Sequence, residues 1–295
     1  MKNLFIINPI AGKGRALNYI DSIKNYFKNS QEEYIIEITK YKNHGTEIAK
    51  DYTSKDDYRV FALGGDGTIN EVLNGMYNSN STLCVIPNGT GNDFARTLYK
   101  EYNLENILHS LINGQELFID IAKCNNRYFL NIASVGFDAK VVNNAKLFKK
   151  KKFIPNSLSY IISLFYTTFG FSPMNVKIEF DNNIIEDSIL LLAACNGKFY
   201  GGGIPIAPKA NITDGFFDLC LVKSAPFLRL ITKIPKSLKG DLGNIEEVNF
   251  YNSEKVYIKS EEDLTINIDG EIFFNREVQF EIIKNGLKVM IPKNS

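Results

Sequence analysis

The sequence predicts an α/β N-terminal domain built on a doubly wound parallel sheet, followed by a β-rich, sandwich-like C-terminal domain. Three observations carry that expectation. From Leu4 to about Lys123, short apolar runs alternate with stretches whose apolar residues recur at helical spacing. Three glycine-rich segments each follow one of those apolar runs, where a doubly wound sheet presents its loops. Beyond Lys123 the texture changes to strands with period-two alternation and turn residues between them.

Taken in order, Leu4–Ile7 reads as a strand and Ala16–Phe27 as a helix with Leu17, Ile20, Ile23 and Phe27 on one face. Tyr34–Ile38 is the next strand, and a helix over 46–53 follows the break at Gly45. A strand over 59–63 runs into Gly64-Gly65, a helix covers 68–76, and a strand over 83–86 is stopped by Pro87. Leu104, Ile107, Leu108, Leu111 and Ile112 give a further helix. Short buried strands alternating with helices imply a parallel sheet covered on both faces. In the second part, strands are expected over 128–133, 176–180, 188–194, 217–222, 255–259, 264–269, 278–283 and 287–291. Helical stretches interrupt them near 157–170 and 225–238. There is no internal repeat and no flexible linker.

At 295 residues the chain can bury two ordinary cores, and 44% apolar with 23% charged residues is a globular composition. A formal net charge of +1 gives no global field for nucleic acid, so none is expected as a partner. Cys84, Cys124, Cys195 and Cys220 show no C-x-x-C pair and no metal-ligand spacing with His. They read as buried, reduced thiols, which fits a cytoplasmic protein. The apolar run at the N-terminus is too short for a signal peptide. The stretch from Leu158 to Phe171 falls short of the roughly 20 residues needed to cross a bilayer, so no membrane span is expected.

Chemistry concentrates in the glycine-rich segments. The first, Asn8-Pro9-Ile10-Ala11-Gly12-Lys13-Gly14, leads into a helix, and its glycines would let backbone approach a phosphate. It lacks the spacing of a P-loop, and the same residues could form an ordinary strand-to-helix turn. The second is Gly64-Gly65-Asp66-Gly67-Thr68-Ile69-Asn70-Glu71. Three glycines around one Asp lose backbone entropy, which makes sense if N–H groups lie against phosphates while Asp66 reaches a metal or a reacting hydroxyl. Thr68 would cap the helix or touch a phosphate; the bland alternative is a capped Asp-Gly-Thr turn. The third, Pro87-Asn88-Gly89-Thr90-Gly91-Asn92-Asp93-Phe94-Ala95-Arg96, feeds another helix. Arg96 could pair with phosphate oxygens, brace a carboxylate, or form a surface salt bridge. His44 and His109 show no catalytic pairing.

With N-P-x-A-G-K-G upstream, the G-G-D-G-T and G-T-x-N-D-F-A-R segments resemble the diacylglycerol kinase catalytic family, its bacterial lipid kinases above all. Gly201-Gly202-Gly203 with Ala207-Pro208-Lys209-Ala210 and Asp214-Gly215 resembles a further family segment, and Asp269-Gly270-Glu271 its late D-G-E motif. The resemblance runs through nearly the whole chain, and five motifs in order are specific; G-G-D-G-T alone is shared with NAD kinases. It implies ATP as phosphoryl donor, cradled by Asn8, Pro9, Ile10, Ala11, Gly12, Thr39, the run Gly64, Gly65, Asp66, Gly67, Thr68, Ile69, Asn70, and Thr90, with Asn92, Asp93 and Arg96 beside it. It implies Glu271 as proton acceptor for the substrate hydroxyl with Asp269 next to it, and a structural Mg²⁺ held by Asp214 and the carbonyls of Asn211 and Phe216. Asp66, Asp93 and Asp120 would complete a carboxylate network. It also implies a nucleotide-binding α/β domain over 1–124 and 288–295 and a β-rich lipid-substrate domain over 125–287.

The chemistry coheres without the family. Phosphoryl transfer needs positioning, a divalent ion and a base near the attacking hydroxyl, and oxygen ligands suit magnesium. The expected acceptor is a lipid alcohol at a membrane surface, diacylglycerol or a similar one. Lys149–Lys152 precede an apolar stripe of Leu158, Ile161, Ile162, Phe165 and Phe169, which could lie against the inner face of a membrane or pack on the sheet. Residues 227–236 form a second candidate. Two rivals stand beside this reading: an NAD kinase-like enzyme, against which the absence of a G-S-T-A-Y-like segment counts, and a non-catalytic nucleotide-binding regulator, against which Glu271 counts. A homodimer is left open.

Overall fold

The computed structural model describes residues 2–99, 101–137, 139–141, 172–226 and 240–293, together with 144, 163, 167, 229, 232, 233 and 236. The chain divides into two compact units, one of residues 1–121, 127–130 and 283–295, the other of 122–126 and 131–282. The Lys149–Lys152 run and the apolar stripe after it lie outside the described residues. Of the second candidate stretch, Arg229, Thr232, Lys233 and Lys236 are described, and Arg229 pairs with Glu246 and Glu247.

The first unit is a parallel sheet. β1 (Lys2–Ile7) pairs on one side with β2 (Tyr34–Ile38) and on the other with β3 (Tyr58–Gly64), which pairs with β4 (Thr82–Pro87). All seven residues of β3 and all six of β4 are buried, because a parallel sheet is covered on both faces. The rings of Phe5 and Phe61 stack across β1 and β3 with centroids 4.4 Å apart. Helices α1 (Tyr19–Phe27), α2 (His44–Thr53) and α3 (Asp66–Met76) follow β1, β2 and β3 in turn. Each buries one stripe: Ile23 and Phe27 on α1, and Ile69, Val72, Leu73 and Met76 on α3, at the three- and four-residue spacing of a helix face. Burying such a side chain stabilises by about 1.5–3 kcal/mol relative to exposure. Two short helices, α4 (Asp93–Leu98) and α5 (Ile107–Ile112), follow β4.

Several boundaries differ from expectation. The helix expected from Ala16 begins at Tyr19, because Gly12, Lys13 and Gly14 all take positive φ and Ala11–Asn18 forms tight 3-10 turns instead. The helix expected from Leu104 begins at Ile107, and Leu104 sits 44% exposed in the turn before it. A strand that the pattern did not announce, β5 (Gln115–Cys124), precedes β6 (Arg127–Phe129). Its first half is largely exposed, so no clean alternation marks it.

The second unit is antiparallel. β7 (Ile132–Gly136), β8 (Met174–Phe180), β9 (Asn183–Cys195), the two-residue pair β10 (Phe199–Tyr200) and β11 (Ile204–Pro205), β12 (Phe217–Lys223), β13 (Val248–Ser253) and β14 (Lys255–Ile268) lie within it, and β15 (Glu271–Ile291) starts there. β13 pairs with β12 and β12 with β9. β9 and β14 then share two partners in succession: β8 along one half and β7 along the other. Two strands expected separately, 255–259 and 264–269, are one strand with a register shift between Lys259 and Leu264. It ends at Ile268, so Asp269 belongs to the turn. The segments 278–283 and 287–291 likewise fuse in β15. The core includes Ile132, Leu191, Ala193, Cys195, Cys220 and Leu242. All four cysteines are buried and unbridged, and burial pushes the Cys84 thiol far above its ordinary range. Among the described residues no helix is long and apolar enough to cross a membrane.

Candidate active site

In the first unit the three glycine-rich loops emerge from the carboxyl ends of β1, β3 and β4, adjacent strands of the sheet, and they are fastened to one another. Asn8 follows β1 directly; its Nδ2 donates to Thr68 Oγ1 at 3.0 Å, and its Oδ1 accepts the Ile10 amide at 3.2 Å. Thr68 therefore joins the first two loops, while the cap position of α3 is Gly65 with no side-chain bond. The Asn88 amide donates to Gly64 O at 2.7 Å, joining the second and third. Gly89 donates its amide to Asn92 Oδ1 at 2.7 Å.

Glycine is required at the seams. A Cβ on Gly12, whose φ is +59°, would lie 2.4 Å from Asn88 Oδ1. One on Gly89 would lie 2.5 Å from the Gly65 Cα, so two backbones pass where no side chain fits. The result is a floor of main chain ending in the first turn of α3, whose N–H groups and dipole favour an anion.

Asp66 and Asp93 meet here. Asp66 Oδ1 accepts the Phe94 amide at 3.1 Å, and a Cβ placed on Gly91 would find a carboxylate oxygen of each Asp at 3.2 Å. Thr90 is exposed on the same loop and Arg96 on α4 after it, Arg96 donating through Nε to Gly91 O at 3.3 Å. Thr39 follows β2 and donates its amide to Ile7 O at 2.9 Å, beside the first loop. Pro9 and Ala11 are half-buried, Gly67 is exposed and Ile10 is 81% exposed at the tip. Two expected residues turn away: the Ile69 side chain is in the core, and Asn70 Nδ2 donates to Tyr128 O at 3.2 Å. Asp120 accepts the Asn285 amide at 2.8 Å. His109 packs edge-on against Tyr26.

In the second unit, Asp269 and Gly270 have φ of 45° and 89°, the two left-handed residues of a tight hairpin turn between β14 and β15. The turn is moored: Asp269 Oδ1 accepts the Ile132 amide at 3.1 Å, and Gly270 donates to Asn267 Oδ1 at 2.9 Å. Glu271, half-buried, opens β15 opposite Ile268. A separate turn carries Asn211, whose Oδ1 accepts the Thr213 amide, and Asp214, whose Oδ1 accepts the Phe216 amide at 3.0 Å. Asp218 lies half-buried beside it. Burial first, and then the negative charge of Asp214, raises the Asp218 carboxyl above its ordinary range, while Asn252 and Lys209 act the other way. Among the described residues no group of three or more His, Cys, Asp or Glu side chains is placed to hold a metal ion. Asn88 and Glu71, which fasten the loops, had no role assigned from sequence. Their partners are far along the chain, and no local pattern announces them.

Glycine loops closed on one another over the carboxyl ends of parallel strands are the arrangement in which α/β sheets bind phosphate groups. Residues 2–124 match the family model of the diacylglycerol kinase catalytic domain, and residues 131–291 that of the YegS C-terminal NAD kinase beta sandwich-like domain. The chain is 29% identical to a diacylglycerol kinase of Bacillus subtilis (strain 168), covering 98% of this chain and 95% of that protein. It is 27% identical to one of Staphylococcus carnosus (strain TM300), covering 98% and 94%. A crystal structure of a diacylglycerol kinase from Bacillus anthracis strain Sterne superimposes with a TM-score of 0.74 at 26% identity, covering 98% of this chain and 96% of that one. The chain belongs to the diacylglycerol kinase catalytic family, in its bacterial branch, and is a lipid kinase.

Proposed function

We propose that this lipid kinase transfers the γ-phosphoryl group of ATP to a hydroxyl of diacylglycerol or a similar lipid alcohol. The observation that supports this is the close backbone approach where Gly12 meets Asn88 and Gly65 meets Gly89, which gathers three glycine loops at the carboxyl ends of parallel strands, where α/β sheets take phosphates. Asn8, Thr39, Thr68 and Thr90 supply polar groups around it, and Arg96 a cation at its rim. Asp66 and Asp93 stand where the phosphates and the ion that accompanies them would be held.

Glu271 is the proton acceptor in this reading, the role that the resemblance of Asp269-Gly270-Glu271 to the family's D-G-E motif implies for it. The acceptor hydroxyl attacks the γ-phosphorus, its proton passes to Glu271, and the bond from the γ-phosphorus to the bridging oxygen breaks to leave ADP. The Asp214 turn fits Mg²⁺ in donor chemistry. Its groups are hard oxygens, the Asp214 carboxylate with the Asn211 and Phe216 carbonyls, which suit a hard divalent cation. When bound there, Mg²⁺ would supply positive charge that orders the turn.

Purified protein incubated with γ-labelled ATP and a panel of dioleoylglycerol, a polyprenol, a sphingoid base, phosphatidylglycerol and NAD, with and without EDTA, tests the reading. Labelled phosphatidic acid formed only without EDTA is the expected outcome. Label in NADP, or in no lipid, would overturn it.

A further inference from the structure

We infer that Glu71 is a positioning residue of the nucleotide site, clamping the loop after β2 to the helix that carries Asp66. The inference rests on the ATP reading above. Glu71 lies in α3, five residues past Asp66, which is about 7.5 Å along one rigid helix. Its two carboxylate oxygens each take one backbone amide of the neighbouring segment: Asn43 N–H at 2.9 Å and Gly45 N–H at 3.1 Å. Its main-chain carbonyl takes Thr46 Oγ1 at 2.9 Å. Asn43 reaches this position with φ of 69°, and a Cβ on Gly45 would lie 2.9 Å from Glu71 Oε2. The segment from Thr39 to Gly45 is thus shaped to receive one carboxylate.

That segment borders the site. Thr39 donates to Ile7 O at 2.9 Å, next to the loop that starts at Asn8, and Lys40, Tyr41 and Lys42 follow, with Tyr41 56% exposed. Strand order places β2 beside β1 and β1 beside β3, so the carboxyl end of β2 is the next station along from the glycine floor. Ligands in open α/β sheets occupy these ends. Glu71 fixes the distance between that station and Asp66. Without it the segment keeps its bonds through Thr46, His44 and Glu47 but loses both carboxylate contacts to Asn43 and Gly45, and binding energy that should go to ATP is spent on ordering it. Once ATP is bound, the reacting groups are unchanged.

The test is steady-state kinetics of E71Q, E71A, G45A and the double variant E71A/G45A, with ATP varied at saturating diacylglycerol and the reverse, and a melting curve for each. Releasing two charge-assisted bonds predicts a KM for ATP raised about tenfold or more in E71A. Gln keeps one acceptor but turns an NH₂ toward the other amide, so E71Q falls between. The KM for diacylglycerol and kcat stay within about twofold. G45A, which pushes the same contact apart, raises the KM for ATP in the wild-type background and adds little in the E71A background, because both act through one contact. Variants that melt lower but keep the wild-type KM for ATP would make Glu71 a plain cap of α2 and overturn the inference. Should E71A fail to fold, E71Q and G45A read the same split. Wild-type protein inert toward ATP would overturn the nucleotide reading itself, a different result from unaltered variants of an active enzyme.

Discussion

Asp269 accepts the Ile132 amide at 3.1 Å and donates its own amide to Ile132 O at 3.2 Å, whereas Glu271 stands two residues on, at the start of β15. Asp269 thus has a structural task in holding β7 to the hairpin turn, which the loss of its carboxylate would disturb whatever its part in the chemistry. E271Q is expected to lower kcat by roughly a hundred- to ten-thousandfold with little change in the KM for ATP. D269A is expected to lose about 1.5–3 kcal/mol of stability, read as a lower urea midpoint, while retaining more activity than E271Q. An active E271Q beside a dead D269N that still binds ATP would move the base to Asp269. Both carboxylates were visible in the sequence as one Asp-Gly-Glu motif. What sorts them was not, because Ile132 is 137 positions from Asp269 and nothing local announces the bond.

At the scale of elements, the loops after β1, β3 and β4 work as one piece. G89A drives a Cβ to 2.5 Å from the Gly65 Cα, a backbone atom that cannot rotate aside, so the second and third loops must part. The expected result is at least a tenfold loss in kcat/KM for ATP with the protein still folded. G14A is the control: Gly14 has φ of 91° but nothing within 4 Å of a Cβ, so its cost is local backbone strain of about 1–2 kcal/mol. Equal kinetic losses in both variants would mean that backbone strain, not loop contact, sets the effect. The glycines and the strand-helix alternation were legible because burial on both faces forces apolar runs and close backbone approach forces glycine. The start of α1 was not, since Leu17 continues the apolar stripe while three left-handed residues at 12–14 delay the helix. β5 escaped because Gln115, Glu116 and Phe118 are exposed at its start, and β14 was read as two strands because its register shift interrupts the alternation.

For the molecule as a whole, β15 is the strand that contributes to both units. Its residues from Ile283 onward belong to the parallel unit, and Lys288 and Val289 pair in parallel with Thr82 and Leu83 of β4. Val289 and Leu83 are both fully buried, so the sheet gains a strand more than 200 positions along the chain from β4. Around it, the Asn285 amide goes to Asp120 Oδ1 at 2.8 Å, and Gly114 approaches so closely that a Cβ there would lie 2.4 Å from Ile291 O. A charge at position 289 would have no partner in that core, and an uncompensated buried charge destabilises by roughly 3–5 kcal/mol, comparable to the whole stability of many domains. V289D should therefore be recovered unfolded or aggregated. V289A removes only methyl groups, and should fold with stability reduced by about 1–3 kcal/mol and an unaltered KM for ATP. Urea unfolding of both variants, with ATP titration of the folded one, checks this. A V289D protein with the wild-type midpoint would show that the parallel unit stands without its last strand.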